Sequence, residues 1–173
     1  GRENDRLSRT AVAAVLSLEA TIRRVPDSNH TVAACAPWVA DPLVRNRGTM
    51  AGSIAHCDPE GDWNSVMLAI GASVVARSAD GGERVIHITD FLVDFFTSSL
   101  EPGEMVTEIR IPKYTGRGGG AYLKLERKIG DYATAACAAA GDAPATSWSS
   151  VMPRFFMQGE QTSTLPPLAT NLS

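Results

Sequence analysis

The sequence predicts an α+β fold with a mainly antiparallel sheet and flanking helices. Two short runs rich in β-branched residues, 73–77 and 83–88, are joined by Ala-Asp-Gly-Gly, and an Asp-Gly pair accepts the positive φ angles of a hairpin turn. Residues 105–111 alternate with the period of a half-exposed strand. Residues 63–71 instead place their apolar side chains on one helical face. Helices combined with hairpin-linked strands define this class.

The composition fits one globular domain that binds small molecules or other proteins. The 173 residues are 44% hydrophobic, which is enough to fill a core. The formal net charge of -3 argues against attraction to nucleic acid or to an anionic membrane. No apolar run approaches the ~20 residues that span a bilayer, and residues 1–9 lack the apolar stretch of a secretory signal. We therefore expect a cytoplasmic protein without a transmembrane segment.

The three cysteines, Cys35, Cys57 and Cys137, are widely spaced and odd in number. This pattern argues against a disulfide framework and against a four-thiolate metal cage. The run His-Cys-Asp at residues 56–58 invites a metal hypothesis, but adjacent side chains point in different directions and no second ligand pair has metal-like spacing. We expect reduced thiols and no metal site.

The N-terminal part is predicted to be a helical entry. Residues 10–24 carry apolar side chains at helical spacings, with Ser8 or Thr10 as a plausible N-cap. Residues 26–30 break this helix, and residues 31–40 predict a second, short helix.

The next segment, residues 48–62, is rich in small and turn-forming residues. Such a composition favours exposed backbone, so we predict a loop with a short extended piece at residues 53–56. The helix of residues 63–71 follows it. Asp62 is a suitable N-cap for this helix, and Gly71 is a suitable C-terminal stop.

Two further elements follow the predicted hairpin. Residues 90–98 predict a helix with Phe95 and Phe96 directed inward. The strand of residues 105–111 then places its odd-numbered residues on one face, and Pro112 ends it.

The last structured elements are predicted to be two strands. Residues 116–120 are glycine-rich and predict a flexible connector. Residues 122–128 alternate in polarity, and residues 132–140 are small, which predicts one strand each, with Asp131 at the turn between them.

The chain is thereby divided into three parts. Residues 1–40 form the helical entry, and residues 41–140 form the central domain. Residues 141–173 are loaded with Ser, Thr, Pro and Gln and bury too little apolar area to offset about 1 to 2 kcal/mol of backbone entropy per residue. We expect them to be an irregular or disordered tail.

One stretch has the composition of an anion cradle. Residues 49–53, Thr-Met-Ala-Gly-Ser, would let backbone amides approach a bulky diphosphate as fixed positive dipoles. Asp62 could accept hydrogen bonds from ribose or ribityl hydroxyls. Arg45 and Arg47 could neutralise phosphate, or could equally be solvated charges at a helix end. Taken alone, a small-residue loop is more often a tight surface turn.

A second segment gives this stretch a family context. Residues 49–59, Thr-Met-Ala-Gly-Ser-Ile-Ala-His-Cys-Asp-Pro, are followed by Tyr-Leu-Lys-Leu-Glu-Arg-Lys-Ile-Gly-Asp-Tyr-Ala at residues 122–133. Together they resemble the medium, FAD-binding subunit of the molybdenum hydroxylases, the xanthine dehydrogenase and carbon monoxide dehydrogenase family. Residues 88–91 and 104–112 are also similar to that family. The resemblance covers residues 41–140 and implies the second subdomain of the FAD-binding PCMH-type fold.

The resemblance also implies a role for individual residues. The segment matching residues 49–53 holds the FAD diphosphate through backbone amides, and the aspartate matching Asp62 contacts the polar chain of the flavin. The lysine matching Lys124 lies near the isoalloxazine, and the Tyr122 ring could pack close to it. From the residues alone, Lys124 could be solvated and Tyr122 a core aromatic. The expected cofactor-binding residues are Thr49, Met50, Ala51, Gly52, Ser53, Asp62, Tyr122 and Lys124.

The function implied by the resemblance is electron transfer. In the family, a molybdopterin large subunit oxidises the substrate, the 2Fe-2S clusters of an iron-sulfur small subunit carry the electrons, and FAD passes them to an acceptor. These two subunits are therefore the implied partners. The residues at 124–136 most resemble the carbon monoxide dehydrogenase medium subunit. No catalytic residue is expected in this chain, because the flavin carries the redox chemistry.

The sequence departs from the family pattern at both ends and in the cradle. No glycine-rich loop of the Ala-Gly-Gly-His-Ser type precedes residue 41, and Ala51-Gly52 stands where two glycines are usual. We therefore expect a chain truncated at both ends that retains FAD weakly. The alternatives are a non-catalytic fragment that acts as an interaction module, and a nucleotide-binding module without redox activity.

Overall fold

The computed structural model describes residues 10–13, 29–112 and 117–143. Within them the chain forms five α-helices, one 3-10 helix and eight β-strands. The helices are α1 (His30–Cys35), the 3-10 helix (Ala36–Trp38), α2 (Pro42–Arg45), α3 (Met50–His56), α4 (Asp62–Ile70) and α5 (Ile88–Phe91). The strands are β1 (Thr10–Ala13), β2 (Ser73–Ser78), β3 (Glu83–His87), β4 (Leu92–Asp94), β5 (Thr97–Ser98), β6 (Glu104–Ile111), β7 (Arg117–Glu126) and β8 (Ala133–Ala143).

The largest sheet has four strands in the order β1-β6-β2-β3, and each neighbouring pair is antiparallel. The predicted β2–β3 hairpin is confirmed. Its turn closes with the Ser78 amide donating to the Gly82 carbonyl at 3.0 Å, and Gly81 has a φ of 91°. The α+β class with a mainly antiparallel sheet is also confirmed.

Strand β6 contains a bulge that changes which residues face the core. Val106 and Glu108 pair with consecutive residues of β2, so Thr107 is the extra residue. The bulge places both Val106 and Ile109 in the core, whereas Met105 is exposed. The prediction that all odd-numbered residues of this strand share one face is therefore wrong at its start.

Residues 10–13 form a strand, so the helix predicted at residues 10–24 is wrong there. They pair with β6 in antiparallel register, from Thr10 opposite Ile111 to Ala13 opposite Glu108. The edge of β6 offers unpaired backbone groups, and pairing with them outweighs a local helical spacing. The rest of the predicted helix lies outside the described residues.

Helix α3 replaces the predicted loop at residues 50–56, so the extended piece predicted at residues 53–56 is wrong, whereas residues 57–61 form the predicted turn. Thr49 is extended, and its hydroxyl accepts a hydrogen bond from the Gly52 amide at 2.9 Å, which makes it the N-cap. Cys57 ends the helix in the left-handed region at a φ of 52°. The hydrogen bond of the Thr49 cap stabilises a helix in this segment of small residues.

The helix predicted over residues 90–98 is also wrong beyond its first turn. After α5 the chain turns into the short β4–β5 hairpin. The Asp94 carboxylate accepts from the Phe95 amide at 2.7 Å, and the Phe96 amide donates to the Cys57 carbonyl at 2.9 Å. These bonds satisfy the backbone without a helix, and they leave both phenylalanine rings exposed rather than inward.

Strands β7 and β8 form a long antiparallel hairpin. Residues 117–120 belong to β7, so the predicted flexible connector is wrong over these residues. Residues 141–143 belong to β8, so the tail predicted to start at residue 141 is wrong over these residues too, while residues 144–173 lie outside the described residues. A strand that contains Gly120 fits here because α1 packs directly on β7, and glycine allows such a close backbone approach.

The core joins the sheet to this hairpin through three helices. Helix α3 packs on β6, α4 packs on β8, and α1 packs on β7. The largest fully buried side chains are Trp63, Phe91, Met50, Ile54, Met67, Ile88, Ile109, Ile111, Val66, Val74 and Val75. Among the residues with described positions, no helix is long and apolar enough to cross a membrane. The boundaries predicted near residues 40 and 140 stay predictions.

Gly120 marks the closest approach of α1 to β7. A Cβ atom at this position would overlap the Thr31 hydroxyl and lie 2.6 Å from the Thr31 amide nitrogen and 2.9 Å from its Cα. At Gly119, the preceding residue, a Cβ would meet nothing within 4 Å.

We predict that Gly120→Ala destabilises the fold by about 1 to 3 kcal/mol or more, because helix backbone cannot move aside as a flexible side chain can. Gly119→Ala is the matched control and should leave the free energy of unfolding within about 0.5 kcal/mol of the parent chain. Urea denaturation followed by circular dichroism measures both. Equal effects of the two substitutions would contradict the close packing.

An ion pair links β3 to the start of β6. The Arg84 guanidinium contacts both carboxylate oxygens of Glu104, at 2.7 and 2.6 Å, and also donates to the Ser99 carbonyl at 2.7 Å. The hydrogen bonds from Arg84 to Glu104, with one from the Glu101 amide, lower the pKa of Glu104 from 4.5 to about 2.

The lowered pKa of Glu104 predicts an acid-sensitive contribution to stability. A carboxyl group with a lowered pKa in the folded state stabilises the fold above its unfolded pKa, and this contribution is lost as pH falls toward 2. Glu104→Gln should therefore reduce the urea midpoint at pH 7 but cause a smaller reduction at pH 2.5. The same reduction at both pH values would argue against the ion pair.

Candidate functional site

The predicted diphosphate cradle, residues 49–53, forms the N-cap and first turn of α3. The side chains of Met50 and Ala51 are buried, so these residues could reach a ligand only through their backbone. Gly52 is exposed, and a Cβ there would lie 2.8 Å from the Thr49 hydroxyl. Since the first amides of a helix have no acceptor in a preceding turn, this end carries partial positive charge.

Asp62, the other early candidate, lies at the start of α4. It is the first helical residue, and Gly61 is the N-cap, so the prediction of Asp62 as N-cap is wrong. Its carboxylate instead turns toward β7, where it accepts a hydrogen bond from the Tyr122 hydroxyl at 2.5 Å. The Lys124 ammonium lies 3.1 and 3.2 Å from the two Asp62 oxygens. Three of the predicted site residues therefore meet in one cluster.

Lys124 is the centre of this cluster. Its side chain has no exposed surface, while that of Asp62 is 9% exposed, so the alternative of a solvated lysine is wrong. The ammonium donates to the Trp38 carbonyl at 3.0 Å and lies 3.3 Å from a Glu126 carboxylate oxygen. An ammonium has three N–H donors, and three protein acceptors surround this one.

Burial sets the electrostatics of the cluster. Burial raises the pKa of Asp62, with a smaller rise from the Glu126 charge, while the hydrogen bond from Tyr122 and the Lys124 ammonium oppose the rise. Burial also strongly raises the pKa of Tyr122, with Cys35 and Asp62 adding to it, so its hydroxyl stays protonated and donates. The pKa of the Cys35 thiol is raised well above its usual range by burial and then by Asp62.

Sequence reasoning missed two members of the cluster, Glu126 and the Trp38 carbonyl. The spacing of Glu126 offered a usable signal, because residues two apart on a strand share a face and Glu126 follows Lys124 by two. The Trp38 carbonyl offered none, because a backbone group carries no sequence signature.

A tight turn joins the two halves of the candidate site. The Asp58 carboxylate accepts from the Glu60 amide at 2.9 Å, and the Asp58 carbonyl accepts from the Gly61 amide at 2.9 Å and from the Asn64 side chain at 2.7 Å. This turn connects the C-terminus of α3 to the N-terminus of α4. Across the described residues, no hydrogen bond or ion pair directly joins the first turn of α3 to the Lys124 cluster.

A small depression lies beside the cluster, between this turn, the first turns of α4 and the start of β8. It is lined by Pro59, Glu60, Gly61, Asn64, Ser65, Ala133 and Ala136, and it includes neither residues 49–53 nor Lys124.

Arg45, one of the two arginines with an open role, donates to the Val39 and Ala40 carbonyls at 3.0 and 2.9 Å. No group of three or more His, Cys, Asp or Glu side chains among the described residues could hold a metal ion.

Comparisons with known proteins give this arrangement a family. Residues 4–114 match the family model described as the FAD binding domain in molybdopterin dehydrogenase. The carbon monoxide dehydrogenase medium chain of Hydrogenophaga pseudoflava is 38% identical over 136 residues, covering 79% of this chain and 42% of that protein. The 6-hydroxypseudooxynicotine dehydrogenase complex subunit alpha of Paenarthrobacter nicotinovorans is 38% identical over 113 residues, covering 65% and 38%.

Solved structures agree with the sequence comparison. Carbon monoxide dehydrogenase from Hydrogenophaga pseudoflava aligns with a TM-score of 0.72 and 36% identity, covering 77% of this chain and 47% of that one. The chain belongs to the family of FAD-binding domains of molybdopterin dehydrogenases, and the predicted resemblance to the medium subunit is confirmed. FAD, the predicted cofactor, is the cofactor of this family. The chain spans about two fifths of the length of these two relatives.

We predict that Tyr122→Phe destabilises the chain by about 1.5 to 3 kcal/mol at neutral pH, because a buried carboxylate loses a donor. The substitution should also raise the pKa of Asp62 further, since the hydrogen bond from Tyr122 lowers it. A raised folded-state pKa favours the fold at low pH and penalises it as pH rises through that pKa. The loss of stability should therefore be smaller at acid pH, where Asp62 is protonated.

Urea denaturation at pH 7 and pH 4 measures this difference, with Tyr132→Phe as the control at an exposed tyrosine. A Tyr122→Phe variant as stable as Tyr132→Phe at pH 7 would show that the hydrogen bond to Asp62 contributes nothing.

Proposed function

We propose that this chain is the FAD-binding part of the flavoprotein subunit of a molybdenum hydroxylase, in which electrons pass from iron-sulfur clusters through FAD to an acceptor. The observation that carries the proposal is the buried cluster of Asp62, Tyr122 and Lys124. Its members come from two segments about sixty residues apart that both resemble the family, and buried ionisable groups with shifted pKa values cluster at functional sites.

The described residues fit parts of a flavin dinucleotide. The amide-bearing first turn of α3 suits the diphosphate, because a helix N-terminus attracts anions and Gly52 allows close approach. The Asp62 carboxylate suits neutral hydroxyl groups, which can donate to it. When bound, the flavin supplies the redox chemistry, and Lys124 provides a positive charge beside it.

The proposed partners are an iron-sulfur small subunit, which carries the 2Fe-2S clusters, and a molybdopterin large subunit. The relatives support this because two of them are named a medium chain and a subunit of a dehydrogenase complex. Substrate choice is placed in the large subunit, since relatives of similar identity include carbon monoxide, glyceraldehyde and nicotine enzymes. We also propose that the complex is cytoplasmic.

The second candidate function is a non-catalytic fragment that acts as an interaction module. It is favoured by the outer side of the β7–β8 hairpin and its turn, where Leu123, Leu125, Ile129 and Tyr132 are exposed. Such apolar surface promotes association.

We predict that the purified chain binds FAD saturably, though weakly, and that Asp62→Asn lowers the affinity about tenfold or more through loss of a charged acceptor. Asp80→Asn, in the β2–β3 turn, is the control and should bind FAD as the parent does. Quenching of flavin fluorescence measures binding, with circular dichroism to verify folding.

Competition by ADP separates the remaining hypotheses. An affinity for ADP equal to that for FAD would favour a nucleotide-binding module. Absence of FAD binding to the folded chain at millimolar FAD would favour the interaction module.

A further inference from the structure

Glu126 stands in an unusual position within the Lys124 cluster. Its side chain is only 10% exposed, and its Oε2 atom lies 3.3 Å from the Lys124 ammonium. That separation suits an ion pair, but the oxygen accepts no hydrogen bond from any described residue. The contact therefore depends on charge alone.

The other two acceptors of Lys124 differ from Glu126. The Trp38 carbonyl and the Asp62 carboxylate both accept hydrogen bonds from the ammonium, at 3.0 and 3.2 Å. Trp38 O is a fixed backbone atom at the end of the 3-10 helix, and Asp62 is itself held by Tyr122. Two of the three donors of Lys124 are thus committed, and the third points toward Glu126 without a hydrogen bond.

The charges of the cluster do not balance. Two carboxylates face one ammonium, and all three side chains are at most 10% exposed. Removing either carboxylate would leave Lys124 paired, so Lys124 does not need Glu126 for neutralisation. The ammonium lies between the two carboxylates, 3.1 Å from an Asp62 oxygen and 3.3 Å from a Glu126 oxygen.

We propose that Glu126 is a positioning residue of the flavin site, which draws the Lys124 ammonium away from full pairing with Asp62 and so keeps the Asp62 carboxylate able to accept a hydrogen bond from the ligand. The proposal rests on the proposed flavin function and extends it. The ligand group that this acceptor would take is a hydroxyl, because a carboxylate accepts a hydrogen bond from a neutral hydroxyl donor.

Three titratable groups, Tyr122, Glu126 and Cys35, face the pair of Asp62 and Lys124. Tyr122 and Glu126 come from β7 with Lys124, Asp62 comes from α4, and the Cys35 thiol of α1 lies 4.0 Å from the Asp62 carbonyl. The Glu126 charge adds to the burial that raises the pKa of Asp62. Loss of that charge should therefore let Asp62 ionise at lower pH, which gives the proposal a readout that a purely structural role would not change.

The test compares Glu126→Gln with Glu108→Gln, which removes a carboxylate from β6 at the Arg110 ion pair. The pH titration of the Asp62 carboxyl carbon, followed by NMR in the ligand-free chain, should have a lower midpoint in Glu126→Gln and an unchanged midpoint in Glu108→Gln. FAD affinity should fall about tenfold in Glu126→Gln only. Glu126→Asp keeps the charge and should restore most of both properties.

The outcomes separate this proposal from the flavin function. An unchanged Asp62 midpoint in folded Glu126→Gln overturns the positioning role, as does FAD affinity that is equal or higher than in the parent. If Glu126→Gln does not fold, Glu126→Asp decides the question. An Asp62 midpoint and an FAD affinity equal to those of the parent support the positioning role. A lower Asp62 midpoint together with weaker FAD binding overturns it. A parent chain that binds no FAD, with a lowered Asp62 midpoint in Glu126→Gln, would contradict the proposed function while supporting the Glu126 contact.

Discussion

The ion pair between Asp62 and Lys124 is the constraint on which the site depends. Both side chains are withdrawn from water, and removing Lys124 would leave the Asp62 carboxylate as an uncompensated buried charge, at a cost of about 3 to 5 kcal/mol. The pair therefore requires that α4 and β7 keep their positions, and the Tyr122 hydroxyl on the same strand reinforces this by donating to the same carboxylate. The same ion pair therefore forms the candidate site and holds the β7–β8 hairpin against α4.

The close packing of α1 on β7 supplies a further acceptor for Lys124. Because Gly120 has no side chain, the backbone of Thr31 can lie against β7, and the Thr31 hydroxyl donates to the Ala139 carbonyl of β8 at 3.1 Å. The 3-10 helix that follows α1 then brings the Trp38 carbonyl to Lys124. Backbone packing around a glycine thus supplies one of the acceptors that a buried ammonium needs.

The sequence was informative where local chemistry decides the structure. The Asp-Gly turn predicted the β2–β3 hairpin, and the apolar face of α4 with Gly71 predicted that helix. It failed where a single contact decides, as in the Thr49 cap that makes residues 50–56 helical and the β6 edge that makes residues 10–13 a strand. For the site, Asp62, Tyr122 and Lys124 were predicted through the family resemblance, whereas the Trp38 carbonyl could be found only from the fold.

The residues that match the family model include only part of the candidate site. The family model matches residues 4–114, which include Asp62 and the whole of α3 but end before Tyr122 and Lys124. An aspartate buried at the start of α4 is costly unless a cation faces it, and Lys124 of β7 lies within pairing distance. The hairpin therefore belongs to the same structural unit as the matched residues, because without it the buried carboxylate would have no cation within pairing distance among the described residues.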